Sequence, residues 1–318
     1  MSSDPIRSGV SVVDPADPPP RSSAGPSWRK TLSLWFDQGD SVAAALTTPD
    51  GPKRVEWLRV IPFIGMHLAC LGVFFVQWRL DAVAVAGGLY LVRMFAITGF
   101  YHRYFSHRTF RTSRAAQFIF AVLGASATQR GPLWWAAHHR KHHRHSDTEL
   151  DVHSPRQHGF WWSHMGWITS AANFPTDLKE VRDLARYPEL RWLDRYDIAV
   201  PVALAVVLYL VGGSSWLVWG YFVGTVVLFH ATCLINSLAH QLGTRRYATG
   251  DDSRNNAVLA LITLGEGWHN NHHRYPGAAR QGFFWWEIDL TYYGLVLLSW
   301  LGIIRELRPV PRRVLETA

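Results

Sequence analysis

Three histidines in the stretch His139-Arg140-Lys141-His142-His143 stand at i, i+3 and i+4, the spacing that places side chains on one face of a helix. Such a face presents three imidazoles to a single point. The spacing recurs at His269, His272 and His273, while His102 and His107 form a looser pair and Asn236 with His240 makes an i, i+4 pair. Eight histidines therefore fall at repeated ligand spacing, and His240 is a ninth. A basic patch that only met anionic lipid would need no such regularity. Nitrogen-only ligation excludes Mg and Ca and leaves Fe, Zn, Cu or Mn. Nine imidazoles are too many for one ion, whereas two ions with four or five ligands each use them all. Closed zinc sites take four ligands and catalytic zinc three, so a dinuclear redox metal is favoured over zinc.

The stretches between these blocks must carry them to one place. In 318 residues with a formal charge of +8, 16 His and 16 Trp, a mean hydropathy of −0.02 conceals long apolar runs alternating with basic, His-rich blocks. That segregation indicates a membrane protein, with Trp and Tyr suited to the lipid–water boundary. Residues 1–27, rich in Pro, Ser and Asp and without an apolar core, read as a disordered tail with no cleavable signal. Residues 28–59 form an interfacial lead-in, followed by a membrane domain over 60–304.

Four transmembrane helices are expected at about 60–78, 82–101, 198–211 and 216–238, paired as two hairpins, with Gly212-Gly213-Ser214-Ser215 breaking the second pair. Residues 115–128 are too short to span and read as a re-entrant, interfacial or buried helix. Residues 283–304 carry Glu287 and Asp289 and are not counted as a span. Arg93, inside the second span, is expected to face another helix or a cavity. With four spans, the basic N-terminal segment, the block 102–197 and the chain from Arg245 share one side, which the positive-inside rule makes cytoplasmic. All the clustered histidines then lie on that side. The fold class is an all-α, multi-pass integral membrane protein with a cytoplasmic helical cap, 102–197 and 241–304, and a basic tail, 305–318.

The order His-x4-His, His-x2-His-His, Asn-x3-His, His-x2-His-His resembles the membrane fatty acyl desaturases of the stearoyl-CoA Δ9 type. The flanking words GPLWWAAHHRKHHRH from Gly131 to His145, SHMGW from Ser163 to Trp167, NSLAH from Asn236 to His240 and GEGWHNNHH from Gly265 to His273 carry the resemblance. It runs from about residue 56 to 295. It implies a di-iron centre, with one iron on His102, His107, His139, His143 and His272. The second would fall to His142, His240, His269 and His273, with Asn236 completing its sphere directly or through a water. No catalytic residue beyond these ligands is implied. His67 and His230, inside the spans, are expected to be hydrogen-bonded and not ligands.

The implied activity is the O2-dependent introduction of a cis double bond, at Δ9, into a long saturated acyl chain. A redox metal pair can take hydrogen from an unactivated methylene if an apolar slot fixes the two carbons and excludes water. Asp147, Glu149, Asp151 and Glu266 are candidates to accept the second imidazole N–H. Family members from animals carry an Arg-Asp pair and a basic pair for the CoA headgroup, where this chain has Ala137-His138 and Ala171-Ala172. The acyl carrier is therefore CoA, with phosphates met by Arg130, Arg140, Lys141, Arg156 or Lys179, a glycerolipid, or a carrier protein. Electrons are expected from a separate ferredoxin or a cytochrome b5-like donor, for which the basic face is suited. Membrane lipid is the other partner, and no nucleic acid is expected. The rival readings are a di-iron acyl or lipid hydroxylase and a membrane protein that only binds metal.

Overall fold

The computed structural model describes residues 28–39 and 55–317. The expected tail and residues 40–54 of the lead-in lie outside the described residues. Helix α1 (Trp57–Ala69) starts three residues before the expected first span and continues as a tighter 3-10 turn to Phe74. Helix α2 (Leu80–Phe95) passes into a wider π-helical winding from Ala96 to Ser106. The second apolar run thus outlasts its expected end at residue 101 and carries His102 on its own last turns.

Among the described residues, three helical runs are long and apolar enough to cross a membrane: Trp57–Phe74, Leu80–Ser106 and Ala199–Ser237. Sequence reasoning expected four spans; the last two are joined in one run. It consists of α5 (Ala199–Trp216), a π-helical stretch Leu217–Val223 and α6 (Gly224–Ser237). The expected four-residue break is reduced to one residue, Gly213, at φ 66° and ψ −160°. Only glycine adopts such an angle without steric cost. Leu208 and Gly220 would stand about 18 Å apart along an unbroken helix, yet a Cβ on Gly220 would lie 3.4 Å from Leu208 Cδ1.

The shorter apolar helices are α3 (Arg114–Ala125), between α2 and the first histidine helix, and α8 (Leu290–Trp300). Ser113 caps α3 by accepting the Ala116 N–H. Arg93 is 1 % exposed and has no acidic partner among the described residues. It donates to Thr225 Oγ1 at 2.7 Å, Gly220 O at 3.2 Å and its own helix at Leu89 O, also 3.2 Å. Carbonyl and hydroxyl oxygens thus solvate its charge between helices.

Helix α4 (Pro132–His145) carries the first histidine face. Its fixed-φ proline opens the first turn, and the buried Asp194 carboxylate accepts the free N–H groups of Leu133 and Trp134 at 3.0 and 2.8 Å. Those are groups a helix start leaves unsatisfied. Arg140 pins the helix from outside. Its donors go to Ser106 O, Phe105 O, Glu180 O and both Asp183 oxygens, which uses all five guanidinium N–H groups. Arg140 is therefore a structural clasp and not a free phosphate binder.

Helix α7 (His269–Arg274) is only six residues long and is held by side chains. Asn255 Oδ1 accepts the Asn270 and Asn271 N–H groups, and Asn271 donates in turn to Gln281 O and Glu287. A buried charge cluster ties this region to α2. Arg103, 1 % exposed, binds Ala279 O, Glu266 and Asp289. Gly265, at φ 131°, lies so close that a Cβ would meet Asp289 Oδ1 at 2.4 Å. A two-residue antiparallel pair, Arg111–Thr112 with Ile304–Arg305, closes the C-terminal end.

Candidate metal centre

His102 and His107 are five residues apart, a poor match to an α-helical face. The π-helical winding corrects this: the His107 N–H donates to His102 O at 3.3 Å, an i to i+5 bond that brings the two rings to 4.9 Å between centroids. π-Helical turns of this kind cluster at functional sites. The rings of α4 and α7 then meet this pair from two other directions.

Two groups result. In the first, donor atoms of His102, His107, His139, His143 and His272 all lie within 4.8 Å of one another. Their Nε2 atoms face each other at 3.0 Å (His102–His272), 2.8 Å (His107–His139), 3.0 Å (His139–His143) and 2.9 Å (His143–His272). Two nitrogens about 2.1 Å from a shared ion and at right angles are about 3.0 Å apart. In the second group, His142, His240, His269 and His273 converge within the same limit, with His240 and His269 Nε2 at 3.0 Å. Asn236, on α6, lines the cavity beside both groups but has no side-chain bond to the imidazoles.

Four carboxylates fix the tautomers. His142 Nδ1–H donates to Asp151 at 3.0 Å, His240 Nδ1–H to Asp147 at 2.8 Å and His273 Nδ1–H to Asp251 at 2.6 Å, while Glu266 takes His102 Nδ1 in a short contact. A neutral imidazole that donates from Nδ1 has its lone pair at Nε2. Converging lone pairs repel unless a cation lies between them. The His273 Nε2 atom is buried without a hydrogen-bond partner among the described residues, as fits a nitrogen reserved for an ion. The donor set thus fits one borderline transition-metal ion per group. Of the carboxylates, Asp251 was missed because, unlike Asp147, Asp151 and Glu266, it does not stand beside a histidine cluster in the sequence; Glu149 is exposed.

Electrostatics agree with neutral ligands. Burial drives His107, His139, His143, His269 and His272 well below the usual histidine range, helped by neighbouring imidazoles. Burial lowers His273 too, to about 4, against the pull of Asp251. Burial would raise Asp147, but bonds from His240 and Ser154 hold it at about 2. His142 goes the other way. Burial would lower it, yet Asp151 raises it, making its Nε2 a stronger donor to a metal.

The metal-free protein is accordingly expected to lose stability as pH falls through about 6.5, where unfolded histidines take up protons that the folded cluster refuses. Stability from these depressed groups is complete above that pH and is lost below it; His142 opposes the trend as a single group. Melting of chelator-treated protein in detergent between pH 8 and 5 checks this. A midpoint independent of pH would contradict it.

Beside the histidines lie two adjoining cavities. One of about 50 Å³ is bounded by His102, His139, His142 and His269 and by Met94 and Ile97. The other, about 390 Å³ and mainly apolar, shares Trp135, His139, Thr232 and Asn236 with the first and ends at Gln38, Arg59, Arg130 and Asp197. Gln129 donates to Thr232 Oγ1 at 3.0 Å where the two meet. Of the five cations named as phosphate candidates, only Arg130 lines this cavity. Arg59, which sequence reasoning left in the lead-in, is 8 % exposed, and its Nη1 is buried without a hydrogen-bond partner among the described residues.

The fatty acid desaturase profile matches residues 80–296. The chain belongs to that family. It is a fatty acyl desaturase, which decides for an enzyme over a protein that only binds metal. The desaturase is 38 % identical over 267 residues to an sn-2 palmitoyl-lipid 9-desaturase from Nostoc sp. (strain 36), covering 81 % of this chain and 92 % of that one. It is also 38 % identical to an sn-1 stearoyl-lipid 9-desaturase from Synechocystis sp., covering 89 % and 90 %. An acyl-CoA 5-desaturase from Anemone leveillei matches at 38 %, covering 83 % and 86 %. The histidine cluster and the three apolar runs of the desaturase accord with a membrane enzyme that uses metal.

Proposed function

We propose that this desaturase introduces a cis Δ9 double bond into a saturated acyl chain esterified to a membrane glycerolipid, at two iron ions. The single observation that carries the reading is the junction of the apolar cavity with the two histidine groups. The lipid carrier is favoured because relatives of high coverage are named for lipid-bound palmitoyl and stearoyl chains. The positions where an animal enzyme meets CoA hold Ala137-His138 and Ala171-Ala172.

One iron would be held by His102, His107, His139, His143 and His272, the other by His142, His240, His269 and His273 with Asn236. When bound, the irons supply the O2 chemistry of the net reaction: –CH2–CH2– plus O2, two electrons and two protons gives –CH=CH– and two waters. The chain's own residues do the rest. The apolar wall fixes the acyl chain and excludes bulk water. Trp135, with Gln129 bonded to Thr232, shapes the passage at the histidines. Arg59 and Arg130 offer donors to the ester end. Asp147, Asp151, Asp251 and Glu266 hold the rings so that each Nε2 faces inward.

For topology we favour two hairpins. The proximity of Leu208 to Gly220 supports a reversal at Gly213, which divides the third apolar run into two spans of a four-span, multi-pass protein. The interfacial lead-in, the cap of 102–197 and 241–304 and the basic tail then share the cytoplasmic face with the site. A separate acidic ferredoxin or cytochrome b5-like protein supplies the electrons. Lipid profiling of a host that expresses the protein with such a donor tests the reaction. A new Δ9 monounsaturated chain in the glycerolipids is expected; a hydroxylated chain instead would favour the hydroxylase.

A further inference from the structure

Three histidines outside the metal groups form a chain of their own. His67 on α1 donates from Nδ1 to Phe63 O at 2.8 Å, and its Nε2 meets His230 Nε2 on α6 at 3.0 Å. His230 Nδ1 meets His164 Nε2 at 2.9 Å, and His164 Nδ1 meets the Ser237 hydroxyl at 3.0 Å. A carbonyl can only accept, so His67 carries its proton on Nδ1 and accepts at Nε2. His230 must then donate from Nε2 and accept at Nδ1, where His164 donates. With the Ser237 hydroxyl turned to His164 Nδ1 in place of Cys233 O, 3.0 Å from it, every link is satisfied with three neutral rings, so no charge is placed at the edge of the apolar region.

The chain spans a seam in the cavity wall. Phe63, Met66 and His67 of α1 and Val226 and Phe229 of α6 all line the 390 Å³ cavity, and none of them is fully buried. Beside the histidine bond the two helices meet through Phe63 and Phe229, whose ring centroids are 5.2 Å apart. Outside it, α1 turns Ile64 and Leu68 outward at 40 % and 60 % exposure, and α6 turns out Val227 at 52 %. This is a lipid-facing surface one side chain away from the cavity. Phe160 stacks on His164 at 5.4 Å, next to Trp161 at 69 % exposure, which fits the membrane interface.

We propose that the His67–His230 pair latches a lateral window between α1 and α6, through which a bilayer glycerolipid passes one acyl chain into the cavity. The inference rests on the acyl-lipid reading above. A two-chain lipid keeps its second chain in the bilayer, so its route to the cavity has to open sideways. A latch of uncharged hydrogen bonds and one ring pair can open without stranding an ion in hydrocarbon. His67 and His230 thereby select substrates that arrive from the membrane.

The test replaces both with cysteine in a background without the two native thiols, Cys70→Ser with Cys233→Ala, and bridges them with a reversible bis-methanethiosulfonate linker, in vesicles of saturated glycerolipid with ferredoxin as donor. Bridging is expected to lower steady-state turnover at least about tenfold, and a thiol reductant to restore it. Enzyme loaded with lipid before bridging should still complete one turnover and retain its product. Phe63→Cys with Phe229→Cys, one turn before His67 on α1 and next to His230 on α6, should respond in the same way and serves if the first pair does not fold. Complete bridging with unchanged turnover at either pair would overturn the latch while leaving the desaturase reading intact. A wild-type enzyme that forms no unsaturated product from any acyl donor would instead overturn that reading.

Discussion

His139→Ala is expected to abolish double-bond formation and to empty the first metal group, with membrane insertion unchanged. His139 Nε2 stands between His107 at 2.8 Å and His143 at 3.0 Å, and its ring lies on Trp135 with centroids 5.0 Å apart. Alanine removes a donor at the centre of the group and the ring that walls the cavity at once. Changes one shell further out cost about 10- to 100-fold in metal affinity or activity, so loss of the ligand itself exceeds that range. Lys141→Ala, exposed two residues away, is the matched control and should retain activity. Product chromatography of host lipids and metal analysis of the purified proteins read the two effects. A His139→Ala enzyme with normal product would remove this residue from the ligand set.

The largest effect on stability is expected from Arg103→Met. The guanidinium reaches Asp289 at 2.9 Å, Glu266 at 3.1 Å and Ala279 O at 2.8 Å, in a place where Asp289 is 0 % and Glu266 6 % exposed. Its removal leaves two buried carboxylates with hydrogen bonds but without their cation, and breaking one side of a buried ion cluster costs about 3–5 kcal/mol. The damage also reaches the site, because Glu266 orients His102. Neutralising the stranded acids, with Glu266→Gln and Asp289→Asn added to Arg103→Met, should recover part of the lost stability while metal content stays low. Detergent melting and folded yield measure this. An unchanged midpoint for Arg103→Met would mean that the cluster contributes nothing to the fold.

Some of this was legible from spacing and charge alone. A face of His139, His142 and His143 follows from the 3.6-residue period of a helix, and the apolar runs follow from the cost of charge in hydrocarbon. The His102–His107 pair looked loose because an α-helical period was assumed, and only a π-helical turn makes i and i+5 neighbours. The lead-in hid Arg59, whose burial rests in part on packing against Phe174, more than a hundred positions away. Arg140, one of five cations that charge alone offers to a phosphate, has its five N–H groups taken up within the fold.

The sequence by itself determined which residues could ligate metal and which stretches could enter a membrane, because both are set by side-chain type and local period. Only the tertiary structure decided which imidazoles share a point, that Asp251 holds His273, that Gly213 alone breaks the last apolar run, and that the cavity reaches the histidines. Those depend on distances between segments far apart in the chain, fixed by backbone winding and by buried hydrogen bonds that local spacing does not encode.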